Sequence, residues 1–213
     1  MLIFCMELIK ITPANIKQVI RTAMRTLEKG GIVAYPTETF YGLGVKFDRE
    51  DALEKLYIIK QRPKIKAIPL IIGDRALLSL LTTGINEKAS FLMDRFWPGP
   101  LTFILPAKKN LSAFITTGTK KVAVRIPGES FALRLAQSAD FPITSTSANP
   151  SGLPPAQDAG TVLRYFQDKI DLVIDGDRSP GRDPSTLIEV TGDKIKILRE
   201  GAIKKDLLLF LRS

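Results

Sequence analysis

Residues 32–44 read Ile32-Val33-Ala34-Tyr35-Pro36-Thr37-Glu38-Thr39-Phe40-Tyr41-Gly42-Leu43-Gly44. The first four residues form a short apolar run, which is typical of a buried strand. The remainder is polar and carries two glycines, so we predict a loop that starts where the strand ends. Similar apolar runs recur at residues 68–72, 101–105 and 122–126, and residues 143–147 are predicted as a further extended segment that is rich in hydroxyls.

Segments with helical spacing of apolar residues separate these runs, as at residues 16–27 and 87–96. Strands that alternate with helices predict an α/β fold, and a late hairpin around residues 191–193 predicts a mixed sheet. We find no internal repeat, linker or low-complexity tract. The simplest organisation is one domain over residues 1–213.

The composition excludes several kinds of catalytic site. The 213 residues include 31 Lys and Arg against 22 Asp and Glu, no histidine, and one cysteine, Cys5. Without histidine there is no Ser-His-Asp or Cys-His machinery, and one thiol cannot build a cysteine zinc site. A disulfide within the chain is excluded as well. The net charge of +9 suggests an anionic partner, although a basic surface can also serve solubility alone.

The first ten residues are apolar, but they lack the basic region and cleavage site of a secretory signal. No stretch approaches the ~20 apolar residues that a membrane-spanning helix needs. We therefore expect a cytoplasmic protein with no membrane partner. Translation could begin at Met1 or at Met6, and the sequence favours neither.

A cluster of cations follows a helix that is predicted to begin at Asp48 and to continue through Leu53, Leu56 and Tyr57. It comprises Lys60, Arg62, Lys64 and Lys66, and no acidic residue occurs between residues 55 and 73. Guanidinium and ammonium groups in such a cluster suit the oxygens of a polyphosphate. A solvated basic loop at a helix end is the simpler interpretation of this fragment alone.

The end of another predicted strand is rich in side-chain hydroxyls. It reads Thr144-Ser145-Thr146-Ser147-Ala148-Asn149. Ligands of α/β proteins bind at the carboxyl ends of strands, where these side chains are expected. Turn formation by Ser147 and Asn149 is an equally good explanation.

Arg125 stands inside an apolar strand and needs a partner there, either a substrate carboxylate or a structural salt bridge. Neither the G-x-x-x-x-G-K-[ST] phosphate loop nor the G-x-G-x-x-G fingerprint occurs in the chain. A bound nucleotide would therefore depend on side-chain cations and hydroxyls.

Taken together, these segments resemble the YrdC/TsaC family of threonylcarbamoyl-adenylate synthases. The resemblance covers roughly residues 16–203, and seven segments stand in the family's order: residues 36–44, residues 60–63 with Lys66, and residues 97–102, 124–127, 146–152, 184–186 and 197–201.

The resemblance implies a twisted mixed sheet with flanking helices around a concave basic cavity. It implies an enzyme that makes threonylcarbamoyl-AMP and pyrophosphate from L-threonine, bicarbonate and ATP, with Mg²⁺ expected alongside ATP. A separate transferase complex would then modify the tRNA adenosine next to the anticodon, and the enzyme itself could contact tRNA.

The resemblance also assigns site residues. Near ATP it implies Lys60, Arg62, Lys66, Ser147, Asn149 and Arg199, with Lys60 and Arg62 the candidate catalytic pair. Near threonine it implies Thr37, Tyr41, Arg125, Ser145 and Ser185, with Arg125 pairing the carboxylate. No protein metal ligand is expected. A carbamate is already anionic, so its attack on phosphorus needs no enzyme base, which suits a chain without histidine.

Two other functions stay open at this stage. A non-catalytic, RNA-binding YrdC-like paralogue would suit the +9 charge, although no aromatic RNA-binding signature occurs. A carbamoyl-transferring module of the kind found inside hydrogenase-maturation proteins shares the fold, but those proteins are much longer.

Overall fold

The computed structural model describes residues 6–63, 65–181 and 183–210. Met1, Cys5 and Lys64 lie outside the described residues. The helices are α1 Ile16–Glu28, α2 Glu50–Ile59, α3 Leu78–Leu81, α4 Glu87–Phe96, α5 Ala113–Thr116, α6 Phe131–Ser138, α7 Ala159–Phe166 and α8 Lys205–Phe210. The strands are β1 Glu7–Lys10, β2 Val33–Tyr35, β3 Gly42–Gly44, β4 Leu70–Ile71, β5 Leu101–Pro106, β6 Lys121–Arg125, β7 Ile143–Thr144, β8 Thr146–Ser147, β9 Leu172–Asp175, β10 Thr186–Thr191 and β11 Lys194–Arg199.

The strands form two mixed sheets. The first has the order β1-β9-β2-β3-β8, and the second has the order β11-β10-β5-β6-β4-β7. Each combines parallel pairs, such as β1 with β9 and β5 with β10, with antiparallel pairs, such as β2 with β3 and β5 with β6. The predicted α/β class with mixed pairing and flanking helices is confirmed, but the expectation of a single sheet is wrong.

The chain passes from one sheet to the other at Ser145. β7 pairs with β4 in the second sheet, whereas β8, two residues later, pairs with β3 in the first. The Ser145 backbone N–H donates to the Pro69 carbonyl at 2.8 Å, which anchors the crossing point. The predicted strand over residues 143–147 is therefore two short strands, and its hydroxyl-bearing residues lie where the sheets meet.

Residues 42–44, predicted as part of a loop, form strand β3 beside β2. The glycines let this strand pass close beneath the Tyr35 ring, because a Cβ on Gly44 would lie 2.7 Å from that ring. The same Cβ would lie 3.0 Å from the Thr144 carbonyl. A strand without side chains at such positions lacks the usual sequence pattern of a strand.

One large apolar cluster joins the two sheets. It contains Ala34 and Val173 from the first sheet and Phe103 and Val124 from the second. A smaller cluster lies under α1 and α6, where residues such as Val19 and Phe131 pack on the first sheet. The sheets therefore share a core, and the site described below opens between their ends.

Candidate functional site

A cavity of about 280 Å³ opens where the two sheets meet. Its walls come from the segment after β2, the crossing point at Ser145, Arg62 in the segment after α2, and the ends of β6 and β11. Its polar lining is Thr37, Thr39, Tyr41, Arg62, Thr102, Arg125, Ser145, Thr146, Ser147, Ser185 and Arg199. Three arginines and no carboxylate occur among these lining residues, so the described wall presents cations and hydroxyls.

Arg125 ends β6 at the floor of this cavity and is 7% exposed. Its guanidinium forms an ion pair with Glu38, from the segment after β2. The other Glu38 carboxylate oxygen, Oε2, is buried and has no hydrogen-bond partner among the described residues. Arg125 thus has a structural partner and also lines the cavity, so the two interpretations of this residue are both compatible with the geometry.

Arg199, at the end of β11, reaches the opposite wall. Its guanidinium donates to the Ser185 carbonyl at 2.8 Å and to the Ser185 hydroxyl at 3.2 Å. Burial lowers the pKa of Arg199, and the nearby charge of Arg125 lowers it further. Arg125 and Arg199 line the same cavity, and two neighbouring guanidinium groups favour an anion there.

Arg62 follows α2 and holds a loop against the cavity rim. It donates from Nε to the Lys66 carbonyl at 2.9 Å and from its terminal nitrogen to the Ala67 carbonyl at 2.6 Å. Burial is also the main cause of the lowered pKa of Arg62. The exposed Lys66 is not among the lining residues and contributes its carbonyl to this loop.

Lys60 lies behind the cavity wall and is 2% exposed. Its ammonium donates to the backbone carbonyls of Ser147 and Asn149. Burial lowers the pKa of Lys60 to about 7, and the charge of Arg62 adds to this effect. In this structure Lys60 holds the segment after β8 and does not line the cavity.

Asn149 also lies behind the wall. Its side-chain amide donates to the carbonyls of Pro150 and Leu153, and its side-chain oxygen accepts from the Ser147 hydroxyl. Ser147 itself lines the cavity. Of the residues assigned to ATP, Arg62, Ser147 and Arg199 therefore meet at the cavity, while Lys60, Asn149 and Lys66 do not line it.

All five residues assigned to threonine line the cavity. Thr37 donates to the Phe40 carbonyl at 2.7 Å, and its hydroxyl accepts from the Thr39 N–H at 3.0 Å, which shapes the turn after β2. The Tyr41 hydroxyl donates to the Asp177 carbonyl at 2.8 Å and accepts from the Gly176 N–H at 3.1 Å. Burial raises the pKa of Tyr41 to about 12, so this hydroxyl stays protonated at neutral pH.

Two residues near the site escaped the sequence analysis as functional candidates. Glu38 is adjacent to Thr37 in sequence, but its partner Arg125 is distant, so no local pattern signals the pair. Thr102 belongs to a quoted motif, residues 97–102, without having received a role. A polar residue inside the apolar run of β5 was the signal for Thr102.

The described residues contain no group of three or more His, Cys, Asp or Glu side chains that could hold a metal ion. In the part of the chain that the structure describes, none of the helices has the length and apolar character needed to cross a membrane.

Comparison with known proteins identifies relatives of this chain in sequence and in fold. The family model described as Telomere recombination, that of the Sua5/YciO/YrdC domain, matches residues 25–201. A threonylcarbamoyl-AMP synthase of Pyrococcus abyssi is 38% identical over 184 residues, which cover 86% of this chain. Those residues correspond to 54% of that relative, so the chain spans about half its length.

Two solved structures are also similar. The structure of P. abyssi Sua5 complexed with L-threonine superposes with a TM-score of 0.89 at 34% identity, covering 97% of this chain and 60% of that one. The structure of E. coli YciO superposes with a TM-score of 0.83 at 28% identity, covering 93% of this chain and 97% of that one.

Proposed function

Because the chain belongs to the Sua5/YciO/YrdC family, we propose that it is an L-threonylcarbamoyladenylate synthase. Its substrates are L-threonine, bicarbonate and ATP, and its products are threonylcarbamoyl-AMP and pyrophosphate. The observation that carries the proposal is the cavity between the sheets, where three arginines and several hydroxyls converge without a lining carboxylate. Threonine, carbamate and ATP are all anionic in the relevant groups, so such a wall suits every substrate.

In the proposed reaction bicarbonate yields CO₂ and hydroxide, and the neutral threonine amine forms a bond to the CO₂ carbon. The amine proton leaves with the hydroxide as water, and the product is an anionic carbamate. A carbamate oxygen attacks the α-phosphorus of ATP, and the bond from that phosphorus to the bridging oxygen of pyrophosphate breaks. The protein's contribution is to hold the reactants together and to stabilise the charge that develops on the phosphate oxygens. Because the attacking carbamate is already anionic, this step requires no histidine as a general base.

We assign the threonine subsite to Thr37, Tyr41, Arg125, Ser145 and Ser185. Supporting this assignment, these residues line one cavity, and Arg125 can offer its guanidinium to a carboxylate while Glu38 neutralises part of its charge. The P. abyssi Sua5 structure is a complex with L-threonine, in a fold close to this one.

We assign the ATP subsite to Arg62, Ser147 and Arg199, with Lys60, Asn149 and Lys66 as further members. Arg62 and Arg199 bring fixed positive charge to the cavity, which suits phosphate oxygens. Lys60 and Asn149 act on this subsite by holding the segment that carries Ser147. Lys66 lies on the loop that Arg62 holds.

Mg²⁺ enters this proposal as a companion of the ATP phosphates. The described cavity lining offers it no carboxylate, and Glu38, next to the lining residue Thr37, is paired with Arg125. We therefore propose no protein ligands for Mg²⁺.

The wider setting of the reaction is also a proposal. The product would pass to a tRNA threonylcarbamoyl-transferase complex, and the +9 net charge supports a direct contact with tRNA. We further propose that residues 1–213 act as one domain in the cytoplasm. The core shared by the two sheets supports the single domain.

The proposal is tested by measuring pyrophosphate release by the purified protein with ATP and Mg²⁺. We expect release only when L-threonine and bicarbonate are both present. Replacing Arg62 or Lys60 by Ala should lower the rate at least about tenfold, which corresponds to ~1.4 kcal/mol of barrier. An Arg95→Ala variant is the control, because Arg95 is exposed on α4 and is not among the cavity-lining residues.

Two outcomes would contradict the proposal. Absence of threonine-dependent release, together with tRNA binding, would favour the non-catalytic RNA-binding paralogue. Threonine-dependent release that is unchanged in Arg62→Ala and Lys60→Ala would keep the reaction but reject the roles given to these two residues.

A further inference from the structure

Ser185 lies just before β10 on the cavity wall, and its hydroxyl accepts two hydrogen bonds. One comes from the Thr102 hydroxyl at 2.9 Å and the other from the Arg199 guanidinium at 3.2 Å. A serine hydroxyl has two acceptor positions and a single proton to donate. Both acceptor positions are therefore occupied, and the described residues include no acceptor for the remaining proton.

Thr102 is well placed to enforce this arrangement. It is 2% exposed and sits in the middle strand of three, because β5 pairs with β10 on one side and with β6 on the other. The register pairs Thr102 with Leu187 in β10 and Phe103 with Val124 in β6. Thr102 thus lies next to the strand end that carries Arg125 and close to the residue that precedes β10, Ser185.

The free direction of the Ser185 proton is the cavity, since Thr102, Ser185, Arg125 and Arg199 all line it. A hydroxyl with a proton to donate recognises a hydrogen-bond acceptor on the ligand. Because two guanidinium groups line the same cavity, an anionic acceptor fits best. A hydroxyl that accepts hydrogen bonds is polarised by them, and this strengthens the hydrogen bond that it donates in turn.

We propose that Thr102 is a positioning residue for substrate binding, which directs the Ser185 hydroxyl to donate to the threonine carboxylate held by Arg125. The inference rests on the proposed function, because it takes L-threonine as the ligand. It adds Thr102 to the site as a residue that acts through Ser185.

The test is calorimetric titration of L-threonine alone into the wild-type protein and its variants. Thr102→Val replaces the hydroxyl by a methyl group, and we expect the Kd for threonine to rise about fivefold, the effect of one lost hydrogen bond. Thr102→Ser retains the hydroxyl and should bind within about twofold of wild type. The Kd for ATP should stay within about twofold in both variants, which a general disturbance of the fold would not allow.

A double-mutant cycle isolates the coupling to Ser185. In a Ser185→Ala background, Thr102→Val should cause no additional loss of threonine affinity, because the hydroxyl through which it acts is gone. Thr116→Val is the matched control, because Thr116 is also a buried threonine but is not among the cavity-lining residues, and its hydroxyl donates to the Ser112 carbonyl. It should leave the threonine Kd unchanged.

The outcomes separate this inference from the function on which it rests. If the wild-type protein binds no L-threonine, the proposed function itself fails. If it binds threonine and Thr102→Val binds equally well, or if the effect of Thr102→Val persists in the Ser185→Ala background, only the positioning role is overturned. Should Thr102→Val fail to fold, the smaller Thr102→Ala replaces it in the same cycle with the same expected losses.

Discussion

The ammonium group of Lys60 is buried beneath the segment after β8, where two backbone carbonyls accept its hydrogen bonds. Burial disfavours the charged form and holds the pKa of Lys60 at about 7, while the two carbonyls favour the charged form. The cost of burying the charged ammonium therefore opposes the stabilisation from its two hydrogen bonds to backbone carbonyls. That balance makes its contribution to stability depend on pH.

We predict that wild-type protein gains stability relative to a Lys60→Met variant as the pH rises from 7 to 9.5. Over this range the unfolded lysine, with its ordinary pKa of 10.5, binds more protons than the folded one, so folding becomes easier as protons are lost. The expected relative gain is about 3 kcal/mol. Urea unfolding of both proteins at each pH measures it.

The comparison between the two proteins removes the effect of every other titrating group that they share. A difference in free energy of unfolding that stays constant with pH, or that falls, would show that Lys60 is not desolvated in the folded protein.

At the scale of elements, the hairpin of β10 and β11 carries one wall of the cavity. The turn that follows β11 packs on the segment that precedes β10, where Ser185 lies. Gly201 makes the closest approach, because a Cβ there would lie 2.1 Å from the Pro184 carbonyl oxygen and 2.9 Å from the Ser185 carbonyl oxygen. Only a residue without a side chain fits this contact.

We predict that Gly201→Ala lowers the free energy of unfolding by about 2 kcal/mol, since the added methyl group must push the backbone at residues 184–185 away. The same displacement should weaken L-threonine binding, because it moves the Ser185 hydroxyl. Gly84→Ala is the matched control, as a Cβ on Gly84 meets no described atom within 4 Å. Urea unfolding and threonine titration of both variants test the prediction, and equal behaviour of the two would contradict it.

At the scale of the whole molecule, the two sheets are held by one apolar cluster. The single tryptophan of the chain, Trp97, packs edge-on against Phe103 of the second sheet, with ring centroids 5.2 Å apart. Its fluorescence therefore reports on the second sheet. Helix α1 packs instead under the first sheet, so backbone circular dichroism also includes that half.

We predict a single cooperative unfolding transition, because unfolding of either sheet would expose the apolar residues of the other in their shared core. Tryptophan fluorescence and far-ultraviolet circular dichroism should give the same urea midpoint. Two separated midpoints would show that the sheets unfold independently and would argue against the proposed single domain.

Much of this architecture could be predicted from the sequence. The helix over residues 87–96 coincides with α4, and the hairpin around residues 191–193 joins β10 and β11. Three motif arginines, Arg62, Arg125 and Arg199, were selected from the sequence and meet at one cavity. Local patterns sufficed for Arg62 and Arg125, which stand out at the end of a helix and of a strand, whereas Arg199 was implied by the family resemblance.

Other features depend on contacts between distant residues and leave no local pattern. The division into two sheets depends on a switch of partner at Ser145, within a run that looks continuous. Lys60 resembles its exposed neighbours in sequence, and its burial depends on carbonyls near residues 147–149. The pairing of Glu38 with Arg125 joins residues 87 positions apart.

The makeup of the cavity wall also affects how the protein would respond to acidity. Among the described lining residues the titratable side chains are Tyr41 and three arginines, and burial raises the pKa of Tyr41 to about 12, well above the range from pH 6 to 9. A change in ligand affinity across that range would then report the ligand's own ionisation, or that of Lys60 behind the wall. The Lys60→Met variant removes the lysine contribution. The pH dependence of affinity that remains in this variant then identifies the protonation state in which the ligand binds.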